Sequence, residues 1–339
     1  MARGLMVWAL IAAVLGATAG QAYAGFSLSG YDLQVIQSQQ GIEHGGASFL
    51  TNALWGSSGL DTPISTGFVL PSCDGVVTSR LYLDIWGGTN AYTAQVTGTL
   101  NGTSLGVVNL GGTDNAGATY STTETSVYGS GYGVWQTAYS NIASLLYTDG
   151  TANELSFTIT DPNDDFDGRV YSATLVTIYT DSSITGSLDY YLAEADGTLR
   201  KTPGSTGSPA EMTLSLNDLD VLNVTSATYT ASYTHGNAGQ MDQIYFNDTA
   251  LGDASNDVAV GAMGIYGPDV PTFDVTDLLA VDSAVRYSVL ESELGTGCES
   301  SLRANIGLLT VNHAVPEPAT IGFLAIGLAA LASRRAAGR

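Results

Sequence analysis

The chain has 339 residues, of which 32 are acidic and 10 basic, giving a formal net charge of −22 with 44% apolar residues. That apolar share can fill a core, which argues against wholesale disorder. So acidic a surface repels phosphate, which argues against nucleic acid as a partner. The length suits one large or two ordinary domains.

The first element is an address label. Arg3 precedes an apolar stretch from about Leu5 to Ala19, followed by Ala22-Tyr23-Ala24 and Gly25. One positive charge, a short apolar run and an A-x-A site read as a secretory signal peptide spanning 1–24 and cut after Ala24. The alternative, a permanent anchor, is short for a bilayer core of roughly 30 Å. Export would use the Sec machinery and place the chain in an oxidising compartment. There Cys73 and Cys298 are more readily bridged than free, though two unpaired thiols stay open.

Past the leader, no long stretch keeps a 3.6-residue apolar period. Short alternating runs rich in Thr, Val, Ile and Tyr dominate, divided by Gly, Asn, Asp and Ser. Leu81, Leu83 and Ile85 share one strand face, and Ala94, Val96 and Leu100 share the next. Val170 to Tyr179 is almost wholly apolar, as expected of a central strand covered on both faces. The fold class expected is all-β.

Self-similarity follows in chain order. Asn101-Gly-Thr-Ser-Leu-Gly106 recurs as Asn247-Asp-Thr-Ala-Leu-Gly252. Asn141 to Leu146 is answered by the Thr272–Leu279 segment, and Leu155, Phe157 and Ile159 by Val285, Tyr287 and Val289. The run from Arg169 is answered by that from Ser300. Four features in one order predict two tandem β-sandwiches of jelly-roll type, over 25–181 and 182–313. One fused sandwich is the alternative.

Candidate chemistry is sparse. Asn163, Asp165 and Asp167 place oxygen ligands at alternate positions before Gly168, as in the first half of a calcium loop. Thr174 stands where a closing Glu belongs, so a solvated acidic turn is favoured over a weak Ca²⁺ site, and no other cofactor is expected. His44, His235 and His313 have no ligand partner at zinc spacing. No Gly-x-Ser-x-Gly elbow precedes a helix, and with so many Asp and Ser residues a scattered triad carries no information. An enzyme, a matrix hydrolase at most, is therefore not the expectation. For glycan recognition, Tyr128, Tyr132, Trp135, Tyr190 and Tyr191 lie in or near Gly-rich segments where platforms could be displayed. The competing expectation is that Trp86 and Trp135 fill sandwich cores.

The last element spans 314–339. Pro316-Glu317-Pro318 precedes an apolar run from Ala319 to Ala332, then Arg334-Arg335 and a final Arg339. This tail resembles the PEP-CTERM sorting signal of Gram-negative bacteria. The resemblance implies a transient inner-membrane anchor, removal by an exosortase, and delivery to the cell surface or an extracellular polysaccharide matrix. About fourteen apolar residues span a bilayer marginally, and the Arg pair stays cytoplasmic. A tail that is never cut is the alternative. Removing both ends takes away four arginines and Glu317 and moves the net charge to about −25, with Lys201 the only lysine. Such a surface attracts divalent cations.

The body carries its own resemblance. Trp86-Gly87-Gly88, Gly133-Val134-Trp135 and Asp167-Gly168-Arg169-Val170-Tyr171 are similar to segments of a domain of unknown function from surface proteins of methanogenic archaea. The order of turns is also similar to galactose-binding-like jelly rolls. These likenesses imply a β architecture and a surface location, and bring no reaction. The expected role is structural or adhesive and non-catalytic, with a lectin-like module as the alternative.

Overall fold

The computed structural model describes residues 30–89, 91–111, 121, 123–130, 132–200, 211–234, 243–253, 268–289 and 301–314. The signal cleavage residues Ala22 and Ala24, Cys298, His235, and the sorting residues Pro316, Glu317, Pro318, Arg334 and Arg335 lie outside them.

Four antiparallel sheets stack in layers. One outer sheet holds β3 (Ile64–Val69), β9 (Ala152–Thr160), β5 (Thr93–Leu100) and β6 (Thr103–Gly111), in that order. It packs on a central sheet ordered β2 (Gly45–Ser58), β10 (Arg169–Thr180), β4 (Gly75–Trp86), β8 (Val134–Tyr139) and β7 (Ser126–Gly129). Their shared core gathers Leu81, Leu83, Ile85, Val96, Leu100, Trp135, Leu155, Phe157 and Leu175.

The second pair repeats this plan. Its outer sheet is β12 (Glu211–Leu216), β18 (Ser283–Ser288), β14 (Gln243–Phe246) and β15 (Thr249–Asp253). Its central sheet is β1 (Gly30–Glu43), β11 (Ser187–Arg200), β19 (Ser301–His313) and β13 (Val224–Thr234), with β16 (Pro268–Asp269) and β17 (Thr272–Asp274) both on the far side of β13. Strand for strand, β3-β9-β5-β6 matches β12-β18-β14-β15, and β2-β10-β4 matches β11-β19-β13.

The repeated turn makes the same asparagine-to-backbone bonds in both copies. Asn101 and Asn247 both take a left-handed backbone, with φ of 51° and 48°. Asn101 Nδ2 donates to the Leu145 carbonyl at 2.7 Å, and its Oδ1 accepts from the Glu154 amide at 2.8 Å. Asn247 Nδ2 donates to the Leu278 carbonyl at 2.7 Å, and its Oδ1 accepts from the Ala284 amide at 2.9 Å. Asparagine suits both demands: it tolerates φ above zero, and its amide ties the hairpin to a neighbouring 3-10 turn.

One expectation is corrected. Residues 30–43, assigned by sequence to the first sandwich, pair with β11 along its length and bury Leu33 and Ile42 in the second core. The strand alternates, so its pattern fits either sheet; the pairing edge decides.

The two central sheets also face each other. Tyr82, Tyr128, Ala138, Val176 and Ile178 of one join the core that holds Leu188, Tyr190 and Leu192 of the other. That is why β10 is buried from Val170 to Tyr179. The chain crosses between sandwiches twice, at His44 and at 181–186. The crossings lie side by side, with the His44 amide bonded to the Gly186 carbonyl at 3.0 Å and the Asp181 amide to the His44 carbonyl at 2.9 Å. Among the described residues no helix is long and apolar enough to cross a membrane.

Candidate functional site

The molecule has two distinct poles. At one, Gly45 pairs with Thr180, Ser187 and Val224 with His313, and the Ala314 amide bonds to the Asn223 carbonyl at 3.0 Å. The last described residue before the sorting tail, Ala314, lies here. At the other pole, Arg169 pairs with both Ser58 and Trp86.

The three motif segments meet at that second pole. The Gly168 amide donates to the Trp86 carbonyl at 3.0 Å, the Asp167 amide to the Gly87 carbonyl at 3.2 Å, and the Gly87 amide to the Gly133 carbonyl at 2.7 Å. Gly168 has φ +73°, and a Cβ there would stand 2.4 Å from Leu60 Cγ, so glycine is required on both counts. This turn aims Arg169. Its Nε and Nη2 grip both carboxylate oxygens of Asp167 at 2.5 and 2.8 Å. Its guanidinium carbon lies 4.0 Å from the centroid of the Trp86 ring and 5.0 Å from that of Trp55. Trp55 stacks on Tyr171 at 4.7 Å with 9° between planes. Trp55, Trp86 and Arg169 are half-buried, whereas Tyr171 is fully covered. The result is an aromatic–guanidinium cluster fixed by a bidentate ion pair and only half-buried.

Below this rim lies a buried polar seam between the central sheets. Arg80 donates to Glu194 through Nε at 2.8 Å and Nη2 at 2.5 Å, with side chains 1% and 0% exposed. Tyr128 donates to the same Glu194 at 2.6 Å, and Arg80 Nη1 reaches the Ser121 carbonyl at 2.9 Å. Burial holds the Tyr128 phenol far above its ordinary range, and adjacent Glu194 adds to this. Asp84 accepts from Ser172 at 2.6 Å and Gln136 at 3.1 Å, while burial raises its carboxyl. Asp196 is 1% exposed, and neither carboxylate oxygen has a hydrogen-bond partner among the described residues. Burial pushes its carboxyl up to about 7, with Arg303 opposing and Asp84 adding to the rise.

The sequence-derived candidates scatter. Tyr128, Trp135, Tyr190 and Tyr191 are buried at 0 to 6% exposure, so they are not display platforms. Glycines near them supply tight strand packing rather than loops: a Cβ at Gly129 would stand 2.2 Å from the Trp135 ring. Tyr190 and Tyr191 sit within β11. Tyr132 is half-buried beside the second pole. In the acidic turn, Asp161 accepts from the Asn163 and Phe166 amides at 2.8 and 2.6 Å, and these backbone bonds lower its carboxyl despite the opposing effect of burial. Asn163 Nδ2 turns to Thr93 at 3.2 Å and Asp167 turns to Arg169, so these side chains are committed apart while Asp165 faces solvent. Among the described residues no group of three or more His, Cys, Asp or Glu is placed to hold a metal. Cys73 is half-buried and has no disulfide partner among the described residues, which do not include Cys298, and burial raises its thiol. His44 forms a crossover, and His313 Nε2 lies 3.1 Å from Asp189.

Sequence reasoning missed Trp55 and did not group Trp86 with Arg169. The available signal was the Trp-Gly-Gly and Asp-Gly-Arg pairing of motifs, whose strands had to be adjacent for Arg169 to reach Trp86.

Fold and tail together define an exported, all-β protein of two sandwiches that ends in a membrane-processed sorting signal. The chain belongs to the family described as protein of unknown function (DUF3344), which matches residues 32–307. Residues 314–336 match the PEP-CTERM protein-sorting motif, which marks the chain for recognition by an exosortase. No curated protein matches the sequence. Among solved structures, the chain is similar to PNGase F, a glycosylasparaginase from Flavobacterium meningosepticum, at 12% identity over 79% of this chain and 96% of that one, with a TM-score of 0.26. It is similar to a β-porphyranase of glycoside hydrolase family 86 from Bacteroides plebeius at 11% identity, covering 86% and 38%, with a TM-score of 0.25. The tandem CBM51 modules of a Streptococcus pneumoniae family 98 glycoside hydrolase match at 8% identity, covering 79% and 100%, with a TM-score of 0.20. Likenesses this distant carry nothing about activity.

Proposed function

We propose that the protein is a non-catalytic component of the cell surface or extracellular polysaccharide matrix, which it contacts through the Trp55–Trp86–Arg169 pole. The observation that supports this is placement. The cluster and the tail exit lie at opposite ends of the central strands, separated by roughly 30 Å for the ten residues between Arg303 and His313. The described chain ends at Ala314, so with the tail held at the inner membrane the cluster sits at the strand ends away from that attachment point. The uncovered parts of the half-buried indoles offer apolar surface against which a sugar ring can pack, and the guanidinium, clamped by Asp167, can offer its remaining N–H groups to hydroxyl or carboxylate oxygens.

Intact mass and fractionation of the native protein, in hosts with and without the exosortase, test the delivery. The expected mature form starts at Gly25, lacks the tail and is found outside the inner membrane only when the exosortase is present. Affinity electrophoresis through the host's extracted polysaccharide tests the contact. Saturable retardation by wild type, lost at least tenfold in Trp86→Ala and Trp55→Ala, is the expected result. Retardation that ignores both variants and requires Ca²⁺ would instead make the acidic surface the adhesive element.

A further inference from the structure

The sorting motif begins where the fold ends. Its match starts at residue 314, and the Ala314 amide is still bonded to the Asn223 carbonyl at 3.0 Å. Four further residues reach Pro318, a span of at most about 14 Å when fully extended. The strand behind is clamped. His313 Nδ1 lies 2.9 Å from the Leu222 carbonyl and Nε2 3.1 Å from Asp189, whose other oxygen accepts the Gly41 amide at 2.7 Å. β19 runs between β11 and β13, so pulling its end free breaks two ladders at once. An enzyme that reads this motif therefore has to come to the surface of the body beside Asn223.

That surface carries uncovered apolar side chains. Leu222 is 70% exposed, the most exposed large apolar side chain among the described residues, and its carbonyl is the one that holds His313. Val281, 52% exposed, belongs to the same corner, because its carbonyl accepts the Leu219 amide at 2.8 Å. Asp218, Asp220, Asp277 and Asp282, all exposed, lie in the same two segments, 217–223 and 276–283, which contain no Lys or Arg. Single exposed apolar residues are ordinary on a protein surface. These two stand beside the one place where the sorting enzyme must bind.

We propose that Leu222 and Val281, with their acidic rim, form a docking surface for the extracytoplasmic face of the exosortase, so that the folded body is recognised together with the tail. Reach selects the occupant, since the motif brings that enzyme to within about 14 Å of Ala314. The membrane comes close as well, but carboxylates without a compensating Lys or Arg repel its anionic headgroups. A protein surface apolar at its centre and basic at its rim meets both features. What the opposite pole contacts does not enter into this.

The rate of tail removal in the native host, followed by pulse-chase and intact mass of the full-length chain, tests the contact. Leu222→Glu combined with Val281→Glu should slow removal roughly tenfold, with the tail-bearing form accumulating in the inner membrane. Thermal unfolding of the processed form should not move, because both side chains stand in water. Val107→Glu, at a 60% exposed position on the outer sheet of the other sandwich, should be cut at the wild-type rate. A flexible spacer of about ten residues between Ala314 and Val315 should slow removal too, and the double substitution should then add no further loss. A tail cut at an unchanged rate in the double variant, or cut faster with the spacer, overturns the contact alone. A wild-type tail left uncut with the exosortase present overturns the sorting reading along with it. Binding of the processed wild type to vesicles of phosphatidylethanolamine and phosphatidylglycerol, lost in the double variant, overturns the proposal by assigning the corner to the membrane.

Discussion

The two sandwiches share a strand order and a hairpin turn down to the hydrogen bonds of Asn101 and Asn247, yet their central sheets meet different fates. In the second, β1 closes one edge; in the first, no strand among the described residues pairs with the same edge of β2. Both central sheets are covered on two faces, because each packs on its outer sheet and on the other's central sheet. Repetition thus fixes the unit, while the way two units dock decides which edges and faces remain available. The docked faces carry charge that the outer cores do not. Arg80, Glu194, Asp84, Asp196 and Arg303 all lie in the seam, which makes it the place where the halves can be pulled apart experimentally.

The largest effect is expected at the clasp. Glu194→Ala leaves the Arg80 guanidinium buried beside Tyr128 without its carboxylate, a loss of about 3–5 kcal/mol in urea unfolding. If the sandwiches dock chiefly through this pair, the single transition should split into two. Asp196→Asn comes next and depends on pH. An acid whose folded pKa stands above its unfolded value binds its proton more tightly when folded. Its contribution is therefore fully present below about pH 4 and is lost as pH rises through about 7. Wild type should lose stability over that window relative to Asp196→Asn, by on the order of 4 kcal/mol. Parallel titration curves for the two proteins would remove Asp196 as a cost of docking.

The comparison between copies is sharpened at the shared turn. Asn101→Ala and Asn247→Ala each orphan a backbone amide and a carbonyl and remove a residue suited to positive φ, for about 2 kcal/mol apiece. Equal losses would show that the repeats are energetically as well as geometrically alike; a large difference would assign one of them the greater share of folding stability. Least is expected of the Arg286–Glu211 pair on the second outer sheet, whose side chains are 26% and 40% exposed at 2.6 Å. Glu211→Gln should cost under about 0.5 kcal/mol, with most of that removed by salt.

Much of the fold was legible because strands advertise themselves by period. Leu81, Leu83 and Ile85 alternate into one core as expected, and the near-continuous apolar run at Val170–Tyr179 became the doubly covered strand. The asparagine turns were legible for a related reason, since a local backbone demand selects a local residue. The aromatic platform was not. A Tyr or Trp near glycine reads alike whether the glycine opens a loop or lets two strands close, and at Gly129 it is the latter. Arg169 and Trp86 are 83 positions apart, and only the pairing of β10 with β4 sets one over the other.

By itself, the sequence determined the β class, the repeat, the export and sorting labels and the acidic surface, because each rests on composition, short-range periodicity or a contiguous motif. Tertiary structure alone decided that β1 serves the second sandwich, that Tyr128, Trp135, Tyr190 and Tyr191 are core, and that Trp55, Trp86 and Arg169 meet at one pole. Strand pairing is made by backbone groups that every residue carries. Which strand finds which edge is therefore settled by the burial of whole faces rather than by any local signal.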